Sequence, residues 1–202
     1  VGYANSLFYT LFGTAFSVAL TIPAAYGLSK KQLPGRFGLT CIFLVTMYFG
    51  GGLIPTYLLV KGLHLLNTRL VLIILSGMSV YNMVVARVYF STSIPGEIYE
   101  AARIDGAKDF KIFTSIVVPI SKPVFATVGL LQFITIWNDF FLPMVFLTEK
   151  SKQTLTLAIY SYTCNFLKNW DKIFAAVTVA LVPILIIYFL FSEQIVAGLT
   201  AG

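Results

Sequence analysis

Charged residues are missing from long tracts of this chain. Residues 7–29 and 37–60 hold none, residues 70–90 hold only Arg87, residues 123–148 only Asp139, and residues 173–192 none. A bilayer core is about 30 Å thick and an α-helix rises 1.5 Å per residue, so about 20 apolar residues cross it. All five tracts meet that length. They are runs of leucine and aromatic residues without the alternation of barrel strands, and backbone in hydrocarbon must satisfy its own hydrogen bonds. The pattern therefore predicts five membrane-spanning helices. Pro23, Pro55, Pro143 and Pro183 lie at depth, and Gly50-Gly51-Gly52 precedes Pro55, so kinks or broken turns are expected there. No repeat, low-complexity tract or linker divides the sequence. Residues 1–202 read as one all-α domain, a polytopic transmembrane helical bundle.

Composition agrees with the pattern. Of 202 residues, 58% are hydrophobic and 11% charged, and mean hydropathy is +0.87. Soluble domains carry about 25% charged residues, so roughly half the usual polar coat is absent. That excludes a disordered tail, a fibrous chain and a disulfide scaffold. The net charge of +6 fits basic membrane loops better than a nucleic-acid surface. Cys41 and Cys164 are far apart and read as inert thiols. No basic n-region or small-residue cleavage site accompanies the first tract, which is therefore a span rather than a signal peptide. A start at Val1 reads as the later part of a longer protein.

Lysine and arginine set the expected orientation. Lys30, Lys31, Arg36, Arg87, Arg103, Lys108, Lys111 and Lys122 flank the first and third connections. Lys61, Arg69, Lys150, Lys152, Lys168 and Lys172 flank the second and fourth. The bias, eight against six, places the first and third connections in the cytoplasm, Val1 outside and Gly202 inside.

The third connection is where charge concentrates: residues 97–111 hold seven of the 22 charges. Pro95 suits a first helical position, and Glu97 and Glu100 lie in opening turns where the helix dipole favours acids. Arg103 comes near the other end, and Gly106 is a natural stop. A short amphipathic helix is expected, with Ile98, Ala101, Ala102 and Ile104 available for packing. A second short helix from about Ala107 leads to the next span.

The order of residues in this loop, Glu100-Ala101-Ala102, then Gly106, then Ile116 and Pro119, resembles the EAA loop of permease subunits of ATP-binding-cassette (ABC) importers. Val118 stands where that family usually has Leu. Asn5-Ser6, Ser93-Ile94-Pro95, Ile104-Asp105-Gly106-Ala107 and Trp137-Asn138-Asp139-Phe140-Phe141 resemble the carbohydrate branch of the family. The stretch from Gly51 to Lys61 and the tail from Val196 resemble its oligosaccharide and polysaccharide members. The resemblance spans essentially the whole chain. It implies a type I importer permease fold, with six spans in the full subunit, in a bacterial inner membrane. It also implies that the loop at about 93–111 is a coupling helix docking in a groove of a cytoplasmic ATPase. By motif, Glu100, Ala101, Ala102, Asp105, Gly106, Ile116 and Pro119 belong to that element. The implied partners are a second permease, two ATPase subunits and an extracytoplasmic solute-binding protein, beside membrane lipid, with no nucleic acid.

ATP hydrolysis is expected elsewhere, because no stretch matches the Gly-x-x-x-x-Gly-Lys-[Ser/Thr] phosphate cradle. Leu75-Ser76-Gly77 matches the ABC signature only by chance. ATP and magnesium therefore belong to the partner, and no cofactor, catalytic residue or metal is expected in this chain. His64, beside leucines in an outer loop, reads as an ordinary interfacial histidine. An ionisable group within a span usually faces a cavity. Asp139, with Gln132, Thr135, Trp137 and Asn138, is the candidate lining of a sugar pathway: the polar groups suit hydroxyls, and an indole suits the C–H face of a pyranose. The competing reading puts Asp139 at the outer interface with Trp137 as an anchor. For function, the alternatives are an ABC permease for a non-sugar solute and an autonomous ion-coupled carrier or channel.

Overall fold

The computed structural model describes the backbone of residues 1–163 and 170–200, and side chains of residues 1–161, 170–171 and 173–190. Cys164, Lys168 and the side chains of Lys172 and of the tail from Val196 fall outside the described residues. Among the described residues all regular structure is helical.

The longest early element is α1 (Gly2–Ser29), followed by α2 (Arg36–Tyr48), α3 (Leu53–Gly62), α4 (Arg69–Leu75) and α5 (Val80–Thr92). The charged connection holds α6 (Gly96–Ile104) and α7 (Asp109–Ile112). A π-helical turn (Phe113–Val117) and α8 (Val118–Ile120) then lead to α9 (Lys122–Asn138). After α10 (Phe141–Phe146) and α11 (Leu155–Thr163), the chain ends in α12 (Trp170–Thr200).

Among the described residues, two helices are long and apolar enough to cross a membrane unaided: α1, and Ile173–Leu190 within α12. The expected count of five is reached only when each of three bent pairs is taken as one span. The tract at 37–60 is α2 and α3 meeting at 107°. Gly50, Gly51 and Gly52 free the chain to turn there, with Gly52 at φ +85°, a conformation that costs glycine little. The tract at 70–90 bends by 48° between α4 and α5. The fourth tract needs correcting at both ends. Its helix stops at Asn138 instead of running to Thr148, and the partner across its 78° bend is the segment Asp109–Ile120. Pro119 has no N–H to offer the carbonyl of Ser115, so the backbone widens just before it, and Pro123 is the second residue of α9.

Pro23 is accommodated within an unbroken α1. This helix is central, and its buried stripe is small or polar: Ser6, Thr10, Gly13, Ser17, Thr21 and Ala25. Lipid tails are as apolar as leucine, so helices in a membrane associate through close packing of small residues and shared hydrogen bonds. The stripe permits that approach. A β-carbon on Gly13 would sit 2.9 Å from both Ile136 Cδ1 and Ser76 Oγ. Outward faces are strongly apolar: Phe37 is 83% and Phe189 74% exposed. This is the reverse of a soluble protein and suits a lipid surround.

Candidate functional site

Helix α6 stands at the end of the bundle where α1 and α5 terminate. Its first turn carries Glu97 and its last Arg103, each complementing the dipole. Pro95 precedes the helix by one position instead of opening it, since Gly96 is its first residue. Its stop is a Schellman turn: the amide of Ala107 donates to the carbonyl of Ala102 (2.9 Å) and that of Gly106 to Arg103 (3.0 Å), with Gly106 at φ +78°.

The helix divides by face. Ala102 is 5% exposed and packs in a cluster with Ile22, Leu28, Phe90, Ile94 and Ile112, and Ile98 and Tyr99 lean on the same cluster. Glu97, Glu100, Ala101, Arg103, Asp105 and Gly106 are exposed, and Ile104 is 86% exposed. Of the four residues expected to pack, Ala101 and Ile104 therefore face outward, because a period of 3.6 puts positions 98 and 102 on one side. Phe110, at the end of the following turn, is 79% exposed. Ile116 packs against the cluster, whereas Pro119 is exposed beside an apolar groove of about 760 Å³ between α1, α9 and α12. Arg103 pairs with Asp109 (3.2 Å) and donates to Gln32 Oε1 (3.3 Å), tying the loop to the 30–35 turn.

At the opposite end, the start of α1 is stitched to residues 151–155. Asn5 Nδ2 donates to the carbonyls of Ser151 (2.8 Å) and Gln153 (3.1 Å), Tyr9 Oη to that of Lys152 (3.0 Å), and Ser6 Oγ accepts from the amide of Leu155 (2.8 Å). Asn67, at φ +56°, adds a clip. Its amide donates to the Phe146 carbonyl, its Oδ1 accepts from the Glu149 amide, and Lys152 Nζ reaches its carbonyl.

The five pathway candidates do not share one face. Gln132 is buried and bridges helices: its Oε1 accepts from Asn82 Nδ2 (3.0 Å) and its Nε2 donates to the Ser76 carbonyl (3.0 Å). Trp137 is buried, stacks on Phe133 and donates its indole N–H to the Ala180 carbonyl of α12 (3.0 Å). Thr135 and Asn138 are exposed, three residues apart on one side of α9. Asp139 is half-buried just past the helix end. Its Oδ1 accepts from the amides of Phe141 (3.0 Å) and Leu142 (3.2 Å) at the start of α10. Among the described residues no cluster of His, Cys, Asp and Glu suits a metal, and His64 is exposed in a left-handed turn.

Residues 1–200 match the family described as the binding-protein-dependent transport system inner membrane component. The chain belongs to that family. This inner-membrane component is 33% identical over 211 residues to protein LplC of Bacillus subtilis (strain 168), covering 98% of this chain and 71% of the relative. It is 32% identical to the polygalacturonan/rhamnogalacturonan transport system permease protein YtcP of the same organism, covering 98% and 74%. Among solved structures it is similar to a chain from a bacterial ABC transporter involved in the import of the acidic polysaccharide alginate. That likeness has a TM-score of 0.87 and 32% identity, over 95% of this chain and 73% of the other.

Two features of this membrane component were not legible in the sequence. One is the Asn82–Gln132–Ser76 bridge, whose signal was two amides at depth in separate apolar tracts. The other is the aromatic seat of Lys30, whose Nζ lies over the rings of Tyr99 and Tyr26. Burial and the nearby Arg103 guanidinium lower its ammonium from the ordinary 10.5 to about 8, against a smaller opposing pull from Asp109.

Proposed function

We propose that this component is a permease subunit of an ATP-driven importer of oligosaccharides or polysaccharide fragments, coupled to a cytoplasmic ATPase through α6. The observation that carries the coupling is the split character of that helix. Its inner face is built into the core through Ala102, while Glu97, Glu100, Ala101 and Ile104 with Phe110 offer an uncovered apolar patch rimmed by charge. Such a surface fits a protein groove, and an element fused to the core transmits a push where a solvated loop would yield. Ala101 permits close approach, Glu100 and Asp105 supply charge, Gly106 ends the helix, and Ala102 and Ile116 anchor it.

The α6 end is then cytoplasmic, and Asn5 with the 151–155 segment faces outside, toward a solute-binding protein. A second permease completes the pathway, and two ATPase copies supply ATP and magnesium chemistry. The sugar assignment rests on the relatives, whose names include a polygalacturonan/rhamnogalacturonan permease. Thr135 and Asn138 are the pathway candidates with exposed side chains, and Asp139 is half-buried with its carboxylate held by the start of α10.

In the assembled transporter, Ala101→Trp and Glu100→Lys should abolish co-purification of the ATPase and ATP-driven uptake while the subunit remains folded and in the membrane. Retained association and uptake would refute the coupling role. Uptake that continues without the ATPase under an ion gradient would favour a carrier instead.

A further inference from the structure

A cavity of about 320 Å³ opens at the α6 end, between the turn after α1, the end of α5 and the flank of α6 that carries Gly96, Tyr99, Glu100 and Arg103. Four cations line it, Lys30, Lys31, Arg36 and Arg103, against one carboxylate, Glu100. Arg103 is paired with Asp109, and Arg36 Nε is engaged by the Leu28 carbonyl (2.8 Å), which fixes that guanidinium beside the cavity. Lys31 is exposed. We propose that this cavity binds the phosphate headgroup of an anionic phospholipid, with the acyl chains lying along the outward face of α2.

Two observations favour a lipid over a soluble phosphate. The cavity lies at the level where α1 and α5 end, which is where a headgroup sits if the apolar bodies of those helices are in hydrocarbon. And α2 leads directly away from Arg36 with an uncovered apolar face: Phe37 is 83% exposed, Ile42 62% and Val45 54%. A basic pocket continuous with such a face is the arrangement that recognises anionic headgroups on the cytoplasmic side of transmembrane helices. Because α6 forms one wall, an occupied cavity would tie the proposed coupling element to the membrane surface. The inference relies on the proposed sidedness for its cytoplasmic leaflet but not for the binding itself.

The test is native mass spectrometry of the full transporter, titrated with phosphatidylglycerol, with phosphatidylcholine, and with soluble glycerol phosphate. Phosphatidylglycerol should give a saturable adduct that phosphatidylcholine does not. Lys31→Gln should weaken it about fivefold and Lys30→Gln with Lys31→Gln about 25-fold, from roughly 1 kcal/mol per basic residue near an anionic surface. Lys31→Gln alters an exposed side chain, so it remains informative if the double variant misfolds. Equal binding of both lipids, or variants that bind normally, would overturn the proposal. Displacement of the lipid by glycerol phosphate would identify a soluble ligand and overturn it too. The coupling role is read separately, by ATPase co-purification, so that loss of the ATPase with an unchanged lipid adduct would assign these charges to the protein partner instead.

Discussion

Replacing Gln132 by leucine separates a structural from a transport role for a fully buried polar pathway candidate. Gln132 spends its oxygen on Asn82 and its amide on the Ser76 carbonyl, so the change removes two hydrogen bonds at 3.0 Å each and strands the Asn82 amide. Leucine is slightly bulkier than glutamine, so no cavity is left. Hydrogen bonds between membrane helices average about 0.6 kcal/mol, reaching about 1.7. Two of them, plus an orphaned amide, place the cost at roughly 1–2 kcal/mol. Reversible unfolding of the purified subunit in mixed micelles with sodium dodecyl sulfate should show that loss. A cycle with Asn82→Ala should give a favourable coupling of about 0.6 kcal/mol between the two side chains. Thr135→Ala and Asn138→Ala, both exposed, should leave the unfolding midpoint within about 0.5 kcal/mol of the parent. A coupling of zero, or a Gln132→Leu subunit of full stability with altered sugar selectivity, would refute the reasoning and return Gln132 to the pathway.

Four further outcomes are expected. Ala102→Leu should overpack its cluster and cost about 1–3 kcal/mol by the same unfolding assay. Ala101→Leu, on the outer face, should leave stability within about 0.5 kcal/mol and reduce ATPase co-purification instead. Lys30 should react with an amine-acylating reagent with a midpoint near pH 8, read by peptide mass spectrometry; a midpoint at the ordinary lysine value would refute the burial of its ammonium beside Arg103. Its lowered value means the unfolded chain binds more protons between about pH 8 and 10.5, so its contribution to stability rises with pH across that window. Glu149 is held below the usual carboxylate range by Lys152 first, with help from Ser151 and Asn67. Its contribution is present above the ordinary glutamate value and fades as pH falls through the lowered one. Proteolysis of the 149–156 segment should accelerate over that acid range in the parent and not in Glu149→Gln.

The tracts that form the bundle were legible because the absence of charge over 20 residues is a property of composition, insensitive to where a helix bends. Boundaries were less so. The 107° turn at Gly52 was announced by three glycines before a proline, but the 48° bend between α4 and α5 rests on Ser76-Gly77 in a mostly apolar tract whose one charge, Arg87, lies well beyond it. There the decisive fact is spatial: a β-carbon on Gly77 would meet the Ile74 carbonyl and the Phe16 ring at 2.9 Å. The fourth tract was drawn too far because one aspartate barely changes hydropathy over such a length. Its carboxylate, bound to two amides of α10, marks where the helix ends. In the loop, the motif located α6 and its stop, and only packing told Ala101 from Ala102. These alanines are chemically identical and adjacent, yet one is in the core and the other in solvent.

That distinction bears on how a docked partner would act on the rest of the molecule. A force applied at Ala101 passes through one helix thickness to Ala102 and so to Ile22 and Leu28 of α1. Helix α1 runs unbroken from there to Asn5, Ser6 and Tyr9, which hold the 151–155 segment at the opposite end. Cores packed to crystal density have little compressibility, and small side chains let neighbouring backbones approach closely along its length. A helix gripped at both ends would carry a displacement imposed by a partner docked at α6 to the opposite end without a relay of side-chain rearrangements. The bends of the chain lie elsewhere, before α3, α5 and α9, and leave α1 itself continuous between its two ends.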